Sequence, residues 1–184
     1  MKKIAVLVGS QRKKSYSKAL ANNLVSLAPE SLRLEIVPID QLPFFNQDWE
    51  SDLPTPKEVE EFRQAIGEAD GFIFVTPEYN RSVPALIKNA VDVASRPPGQ
   101  NKWGGKPGLI ISNSPGSISG FGAYQILRQS VGMLGVRLMS FPELFIGGVD
   151  KLFDDEGKIS NESTREFLAD SLKKFENWVN KHVK

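Results

Sequence analysis

The chain has 184 residues, of which 40% are hydrophobic and 24% are charged, and this composition is typical of one globular domain. Its 23 Lys and Arg residues nearly balance its 22 Asp and Glu residues, which argues against a nucleic-acid-binding surface built on bulk positive charge. Cysteine is absent, so disulfides, thiolate metal sites, iron–sulfur clusters and thiol catalysis are excluded. Any redox chemistry would have to be carried by a bound group.

The first residues are not expected to form a secretory signal. Lys2 and Lys3 precede an apolar run at 4–8 that is too short for a signal core. Residues 11–14 then turn basic where a cleavage site would need small side chains. No later stretch approaches the length of a membrane span. We therefore expect a cytoplasmic protein that does not span a membrane.

Short apolar segments rich in β-branched residues alternate with segments of helical spacing along the whole chain. The predicted strands are 4–8, 34–39, 72–76, 109–112 and 136–141. The helical stripes lie within 20–27, 59–69, 86–90, 127–134 and 168–179. Capping boxes at 55–58 and 163–166 predict two of the helix starts. The order predicts an α/β fold in which a five-stranded parallel sheet carries helices on both faces, in a single domain over 1–184.

The segment after the first predicted strand interleaves three hydroxyl groups with four cations. It reads Gly9-Ser10-Gln11-Arg12-Lys13-Lys14-Ser15-Tyr16-Ser17-Lys18. The three serines, the guanidinium group and the amides of a helix start would form a pocket for a phosphate dianion. Helix capping alone would explain one serine but not three.

Neither the P-loop pattern nor G-x-G-x-x-G occurs in this segment. Asp40 ends the second predicted strand, where a dinucleotide-binding enzyme keeps an acid for the ribose, but without the glycines a turn aspartate is the better interpretation. The pattern therefore favours a mononucleotide.

Two further loops follow the third and fourth predicted strands. The first reads Thr76-Pro77-Glu78-Tyr79-Asn80-Arg81-Ser82-Val83-Pro84, in which Glu78, Tyr79 and Asn80 suit hydrogen bonding and stacking along a planar heterocycle. The second, 113–122, has three glycines that permit a close approach of the backbone to a ligand. By itself the second loop is equally compatible with a flexible turn. Because ligands of such sheets bind at the carboxyl ends of the strands, the three loops together favour one binding site.

These loops resemble the NAD(P)H-dependent FMN reductase family, in particular its bacterial chromate and quinone reductase branch. The resemblance rests on Gly9-Ser10-x-Arg12-x-x-Ser15-x-Ser17, on 76–80 followed by Ser82-Val83-Pro84, and on Lys88-Asn89-Ala90-Val91-Asp92. It runs to Gly147-Gly148-Val149. It implies a flavodoxin-like three-layer sandwich with strand order 2-1-3-4-5, tightly bound FMN, NADPH or NADH as the hydride donor, and dimers or tetramers.

The resemblance also assigns roles to particular residues. It places the phosphate at Ser10, Arg12, Ser15 and Ser17, with Gln11 and Tyr16 in the same loop. It places the isoalloxazine against Pro77, Glu78, Tyr79 and Asn80, with Asn113 and Gly116 along its other edge. Ser17 stands where relatives often have asparagine, and Asn113 where they often have serine or threonine. The implied mechanism is hydride transfer in a ping-pong sequence, with no catalytic acid from the protein and no metal.

Two other interpretations stay open. A flavodoxin-type carrier would shuttle single electrons to a protein partner, although such carriers are commonly strongly acidic and this chain is nearly neutral. A non-redox binding module would use the fold for regulation. The small-molecule electron acceptor, whether quinone, free flavin, azo compound or chromate, is not specified by the sequence.

The two long loops, 41–54 and 96–107, carry aromatic residues that predict an interface. Phe44, Phe45 and Trp49 lie in the first loop and Trp103 in the second, while Tyr79 lies beside the predicted flavin. Exposed aromatics on this scale indicate a homodimer or homotetramer in which the partner walls part of each flavin cleft. The alternative for Phe44 is that it folds back over its own sheet edge.

Overall fold

The computed structural model, which describes residues 1–183, has a parallel sheet between two layers of helices. The strands are β1 (Lys2–Val8), β2 (Leu32–Ile36), β3 (Gly71–Pro77), β4 (Pro107–Asn113), β5 (Arg137–Leu138) and β6 (Leu144–Ile146). The helices are α1 (Tyr16–Leu27), α2 (Lys57–Glu68), α3 (Ala85–Ser95), α4 (Phe121–Met133) and α5 (Glu162–His182). Short 3₁₀ turns occupy Gln47–Glu50 and Val149–Lys151.

The sheet order is β2-β1-β3-β4-β5, and every pair is parallel. The predicted flavodoxin-like order 2-1-3-4-5 is therefore confirmed. The order in which successive strands are added to the sheet reverses direction between β1 and β3. Loops at the carboxyl ends of the central strands accordingly meet at one edge of the sheet.

The fifth strand differs from its prediction. The run 136–141 is not one strand, because β5 pairs with β4 at Gly108 and β6 pairs with β4 again at Ile111. Between them the chain leaves the ladder, and Phe141 is 78% exposed. Pro142 has no N–H to donate to a ladder, which explains why pairing stops and resumes beyond it.

The core has two halves, one on each face of the sheet. On one face α1 and α5 pack their leucine stripes onto alternate residues of β1, β3 and β4. On the other face α2, α3 and α4 pack around Phe72, Phe74 and Trp103. Trp103 is fully buried, lies 4.8 Å from the Phe72 ring centroid and donates from Nε1 to the Val91 carbonyl at 2.9 Å. The prediction that Trp103 contributes to an interface is wrong.

Both predicted capping boxes are also wrong. Helix α2 starts at Lys57 without a side-chain cap, while the Thr55 hydroxyl donates to the Trp49 carbonyl at 3.4 Å. Helix α5 starts at Glu162, where the side chain of Asn161 accepts from the Thr164 amide at 2.9 Å. Ser, Thr and Asn side chains can bond to several nearby backbone groups, so a spacing pattern alone does not show whether such a residue caps the helix.

Within residues 1–183, no helix is both long enough and apolar enough to cross a membrane. In that same range, no three His, Cys, Asp or Glu side chains are grouped so that they could hold a metal ion.

Candidate functional site

A cleft of about 200 Å³ lies where β1, β3 and β4 end. It is lined by Ser10, Arg12, Ser15, Tyr16, Ser17, Pro77, Glu78, Tyr79, Asn113, Ser114 and Pro115. Residues from all three predicted loops therefore meet in one place, although they are spread over 106 positions of sequence, from 10 to 115. The parallel order of the strands brings them together.

The serines form a buried polar wall at the start of α1. Ser10, Ser15 and Ser17 are 7%, 5% and 2% exposed. The Ser15 hydroxyl accepts from the Lys18 amide at 3.2 Å and so caps α1, which leaves its own proton free to donate. The Ser10 hydroxyl has no hydrogen-bond partner among the residues that the structure describes, although the side chain is nearly buried. The Ser10 hydroxyl lines the cleft and is not itself fully buried, because every fully buried side-chain N or O atom of the described residues has a partner, so it is free to donate to a ligand oxygen.

The charges around this wall favour an anion. The Arg12 guanidinium lies 4.7 Å from the centroid of the Tyr16 ring, and it forms no ion pair within residues 1–183. The first turn of α1 has no acidic residue. The positive end of the helix dipole and the arginine charge are therefore not neutralised by the protein.

Asn113 joins the three loops at the floor of the cleft. Its side chain is 2% exposed. Its Nδ2 group donates to the Thr76 carbonyl at 3.2 Å and lies 3.0 Å from the Ser17 hydroxyl, which in turn lies 3.1 Å from Oδ1. The side-chain polar atoms of Asn113 thus have hydrogen-bond partners within the protein. The residue connects the carboxyl ends of β3 and β4 to the start of α1.

The loop after β3 forms a tight turn beside the cleft. The amides and carbonyls of Tyr79 and Ser82 exchange two hydrogen bonds of 3.0 Å, and Asn80 and Arg81 between them both have positive φ angles, 50° and 65°. This is the conformation of a two-residue hairpin turn, which usually selects glycine or asparagine. The turn leaves Tyr79 53% exposed at the mouth of the cleft.

Two clefts of more than twice this volume lie beside it. One of about 430 Å³ lies across Arg12 and Tyr79 and is lined mainly by apolar side chains, including Leu42, Phe44 and Leu86. The other, of about 680 Å³, runs along α1, but its lysines face the carboxylates of residues 154–156. Those carboxylates oppose an anionic ligand, so the smaller cleft with its serine wall is the better phosphate site.

The loop 41–54 is fastened to α3 by a buried amide. Asn89 is 8% exposed; its Nδ2 donates to the Pro43 carbonyl at 3.0 Å, and its Oδ1 accepts from the Phe45 amide at 2.8 Å. At the other end of the loop, Glu50 and Arg96 form a two-bond ion pair of 2.6 and 2.7 Å. These contacts hold the loop over the 430 Å³ cleft.

The family model for NADPH-dependent FMN reductases matches residues 2–150. The chain belongs to this family. A quinone reductase of Pseudomonas putida is 51% identical over 96% of this chain and 94% of its own length. A 2-hydroxy-1,4-benzoquinone reductase of a Burkholderia species is 46% identical over 96% of both chains.

Solved structures agree with the family. The flavoenzyme NAD(P)H:(acceptor) oxidoreductase FerB of Paracoccus denitrificans is 38% identical, covers 100% of both chains and has a TM-score of 0.92. A flavodoxin of Pseudomonas aeruginosa, at 19% identity and a TM-score of 0.59 over 93% of this chain and 99% of its own, shares the fold alone.

Membership of the FMN reductase family confirms several predictions. The chain is a flavin-dependent oxidoreductase, and the predicted FMN cofactor and reduced nicotinamide are those of the family. The relatives named above are reductases of quinones or of unspecified acceptors, so chromate reduction stays a prediction.

The cleft contains most of the predicted site residues but not Gln11, Asn80 or Gly116. Gln11 turns away, and its Nε2 group donates to the Asp40 carbonyl at 3.3 Å. Asn80 and Gly116 are exposed at the rim.

Sequence reasoning missed three residues near the site. Ser114 and Pro115 line the cleft directly after Asn113. Asn89 belongs to the family motif at 88–92, and a polar residue beside the apolar stripe of its helix is a signal that it bonds to a neighbouring segment.

Proposed function

We propose that the chain binds FMN in the three-loop cleft and transfers electrons from NADPH or NADH to a quinone or another small acceptor. The observation that carries the proposal is the Ser10 hydroxyl, which lines the cleft without a protein partner, together with the unpaired charge of Arg12 in the same cleft. A phosphate monoester would use both, because its oxygens accept from hydroxyl and guanidinium groups. The quinone reductases among the relatives supply the acceptor class.

The phosphate contacts come from the start of α1. Ser10 and Ser15 have hydroxyl protons free to donate, and Arg12 adds a charge-assisted contact. Ser17 is a weaker candidate, since its hydroxyl is already bonded to Asn113. In this proposal Ser17 and Asn113 shape the cleft, whereas Ser10, Arg12 and Ser15 bind the phosphate.

The ring of the cofactor would lie between the loops after β3 and β4. Pro77, Glu78 and Tyr79 line one side, and Ser114 and Pro115 line the other. The rim residues Asn80 and Gly116 would contact the outer edge of the ring. FMN, when bound, supplies the hydride chemistry, and the protein binds and orients it. Because one cleft mouth would receive both the nicotinamide and the acceptor, we propose ping-pong kinetics.

The test is an absorption spectrum of the purified protein, followed by anaerobic titration with NADPH and with NADH. We expect one FMN per chain, released on denaturation, and steady NAD(P)H oxidation with a soluble quinone and no partner protein. Recovery of FAD, or no flavin after reconstitution, would refute the cofactor assignment. Activity only in the presence of a second protein would favour the flavodoxin-type carrier.

We further propose that this single domain assembles as a homodimer or homotetramer around the cleft. Phe44 is 75% exposed and Tyr79 is 53% exposed, and both face the 430 Å³ cleft. Phe45 and Trp49 are half-buried against the core of their own chain. The exposed part of the predicted aromatic surface therefore consists of Phe44 and Tyr79. Use of NAD(P)H fits the cytoplasmic location expected from the sequence.

A further inference from the structure

The carboxylate of Glu78 connects the loop after β3 to the first turn of α4. Its Oε2 accepts from the Ala123 amide at 3.1 Å, and its Oε1 lies 3.4 Å from Nη1 of Arg81. The side chain is only 11% exposed. Both oxygens thus have partners within the protein, and neither partner belongs to the phosphate wall.

The turn that follows Glu78 is not favoured by its own sequence. Arg81 has a φ angle of 65°, and Asn80 before it has 50°. A left-handed conformation costs a side chain such as arginine about 1 kcal/mol or more, whereas asparagine adopts it more readily. Contacts outside the turn must therefore hold it.

Helix α4 supplies those contacts. A Cβ atom on Gly122 would lie 2.8 Å from the Arg81 carbonyl oxygen and 2.9 Å from Oε2 of Glu78. The first turn of α4 therefore packs directly on the Tyr79–Ser82 turn, at a distance that only glycine permits. Glu78 joins the two surfaces at this contact, because it bonds to Ala123 on one side and to Arg81 on the other.

From this geometry we infer that Glu78 is a positioning residue that fixes the Tyr79–Ser82 turn against α4 and so orients the flavin side of the cleft. The inference rests on the proposed function, because the orientation of Tyr79 affects turnover only if the cleft binds FMN. The essential part is the bond to Ala123. The Arg81 side chain is 68% exposed, so its ion pair with Glu78 contributes less to holding the turn than the bond to Ala123 does.

The experiment compares Glu78→Ala, Glu78→Gln, Arg81→Ala and Gly122→Ala, with Glu156→Gln as the control. Glu156 is an exposed acid that pairs with a lysine outside the cleft. We expect Glu78→Ala to raise the FMN dissociation constant about tenfold, because the binding of FMN must then order a turn that α4 no longer holds. Glu78→Gln keeps an oxygen acceptor for Ala123 and should restore most of the affinity.

Readouts at saturating FMN separate positioning from stability. We expect Glu78→Ala and Gly122→Ala to lower kcat with the quinone and to alter the visible circular dichroism of the bound flavin. The control should leave both close to wild type, and Arg81→Ala should change them less than Glu78→Ala does, because it keeps the bond to Ala123. Gly122→Ala acts on the same contact from the helix side, so it tests the inference even if Glu78→Ala does not fold.

Two results would overturn the inference. One is a Glu78→Ala or Gly122→Ala protein with a lower melting temperature but wild-type FMN affinity, kcat and flavin dichroism. The other is a Glu78→Gln protein as impaired as Glu78→Ala, because the bond to Ala123 would then not be the essential contact. A wild-type protein that binds no FMN would instead refute the proposed function.

Discussion

Ser17 and Asn113, 96 residues apart in the sequence, hydrogen-bond to each other in the floor of the cleft. Both side chains are 2% exposed, and their contact joins the start of α1 to the end of β4. Because Asn113 also donates to the Thr76 carbonyl, one amide connects all three loops of the site. The shape of the cleft thus depends on a polar contact that spans more than half of the chain.

Replacing Asn113 with alanine should lower the free energy of unfolding by about 1–3 kcal/mol, because buried partners at Ser17 and Thr76 lose their hydrogen bonds. Urea denaturation of the FMN-free protein measures this loss. A double-mutant cycle with Ser17→Ala should show a coupling energy of about 0.5–3 kcal/mol. Ser26→Ala, an exposed serine on the same helix, is the control. Additive losses would mean that Ser17 and Asn113 do not act as a pair.

Replacing Arg12 with alanine should weaken FMN binding by about 1.5–3 kcal/mol, the range for a hydrogen bond to a charged group. Riboflavin lacks the phosphate, so its affinity should change little. Fluorescence titration of the FMN-free protein with each ligand measures both values. Lys14→Ala makes the same charge change in the same segment but outside the cleft, and its effect should be smaller. Equal losses for FMN and riboflavin would place Arg12 away from the phosphate.

The ion pair between Glu50 and Arg96 should make stability depend on pH in the acid range. The hydrogen bond from Arg96 lowers the pKa of Glu50 below its ordinary value of 4.5. The folded state then binds fewer protons than the unfolded state, so this contribution is present above pH 4.5 and is lost as pH falls through the folded pKa.

Urea denaturation from pH 7 to pH 3 tests this dependence. The stability difference between wild type and Glu50→Gln should shrink as pH falls below 4.5, and Arg96→Ala should show the same behaviour. A difference that is constant with pH would rule out the ion pair as its source.

Replacing Asn89 with alanine should free the loop 41–54 from α3. The Phe45 amide would lose its 2.8 Å bond to Oδ1 of Asn89, so its hydrogen should exchange faster with solvent. Hydrogen exchange followed by NMR or mass spectrometry detects this change. Lys88→Ala, an exposed neighbour on the same helix, should leave the exchange rate unchanged. Unchanged exchange in Asn89→Ala would show that the loop is held by other contacts.

The proposed assembly should give at least a dimer in sedimentation experiments at micromolar concentration. Phe44→Ser should weaken it, because the side chain is 75% exposed beside the cleft. Val25→Ser, which removes a 40% exposed apolar side chain from α1, should not. A monomer that retains full quinone reductase activity after dilution would contradict a cleft shared between subunits.

The central strands could be predicted closely from the sequence. The predicted strand 72–76 lies within β3 (Gly71–Pro77), and 109–112 lies within β4 (Pro107–Asn113). Both are nearly continuous apolar runs, and a parallel strand covered on both faces requires such a run whatever its neighbours are. The anion-binding character of the serine-rich segment after the first strand could also be predicted, because its hydroxyls and cations are adjacent in sequence.

The partners of side chains could not be predicted in this way. Trp103 in a Gly- and Pro-rich loop looked exposed, but α3 and the sheet provide a buried place for its ring and an acceptor for its indole N–H. Gln11 lies among the residues predicted to bind the phosphate, yet it bonds to the end of the segment after β2. Each outcome depends on a surface that comes from a distant part of the chain.

The sequence by itself determined the alternation of strands and helices and the positions of the three loops that line the cleft. These features follow from local periodicity and from residues close together in the chain. Only the tertiary structure decided that the fifth strand divides around Pro142, that Asn113 braces the cleft and that Glu78 bonds to α4. Such contacts join segments many residues apart, and burial and hydrogen-bond geometry select them only when the sheet has formed.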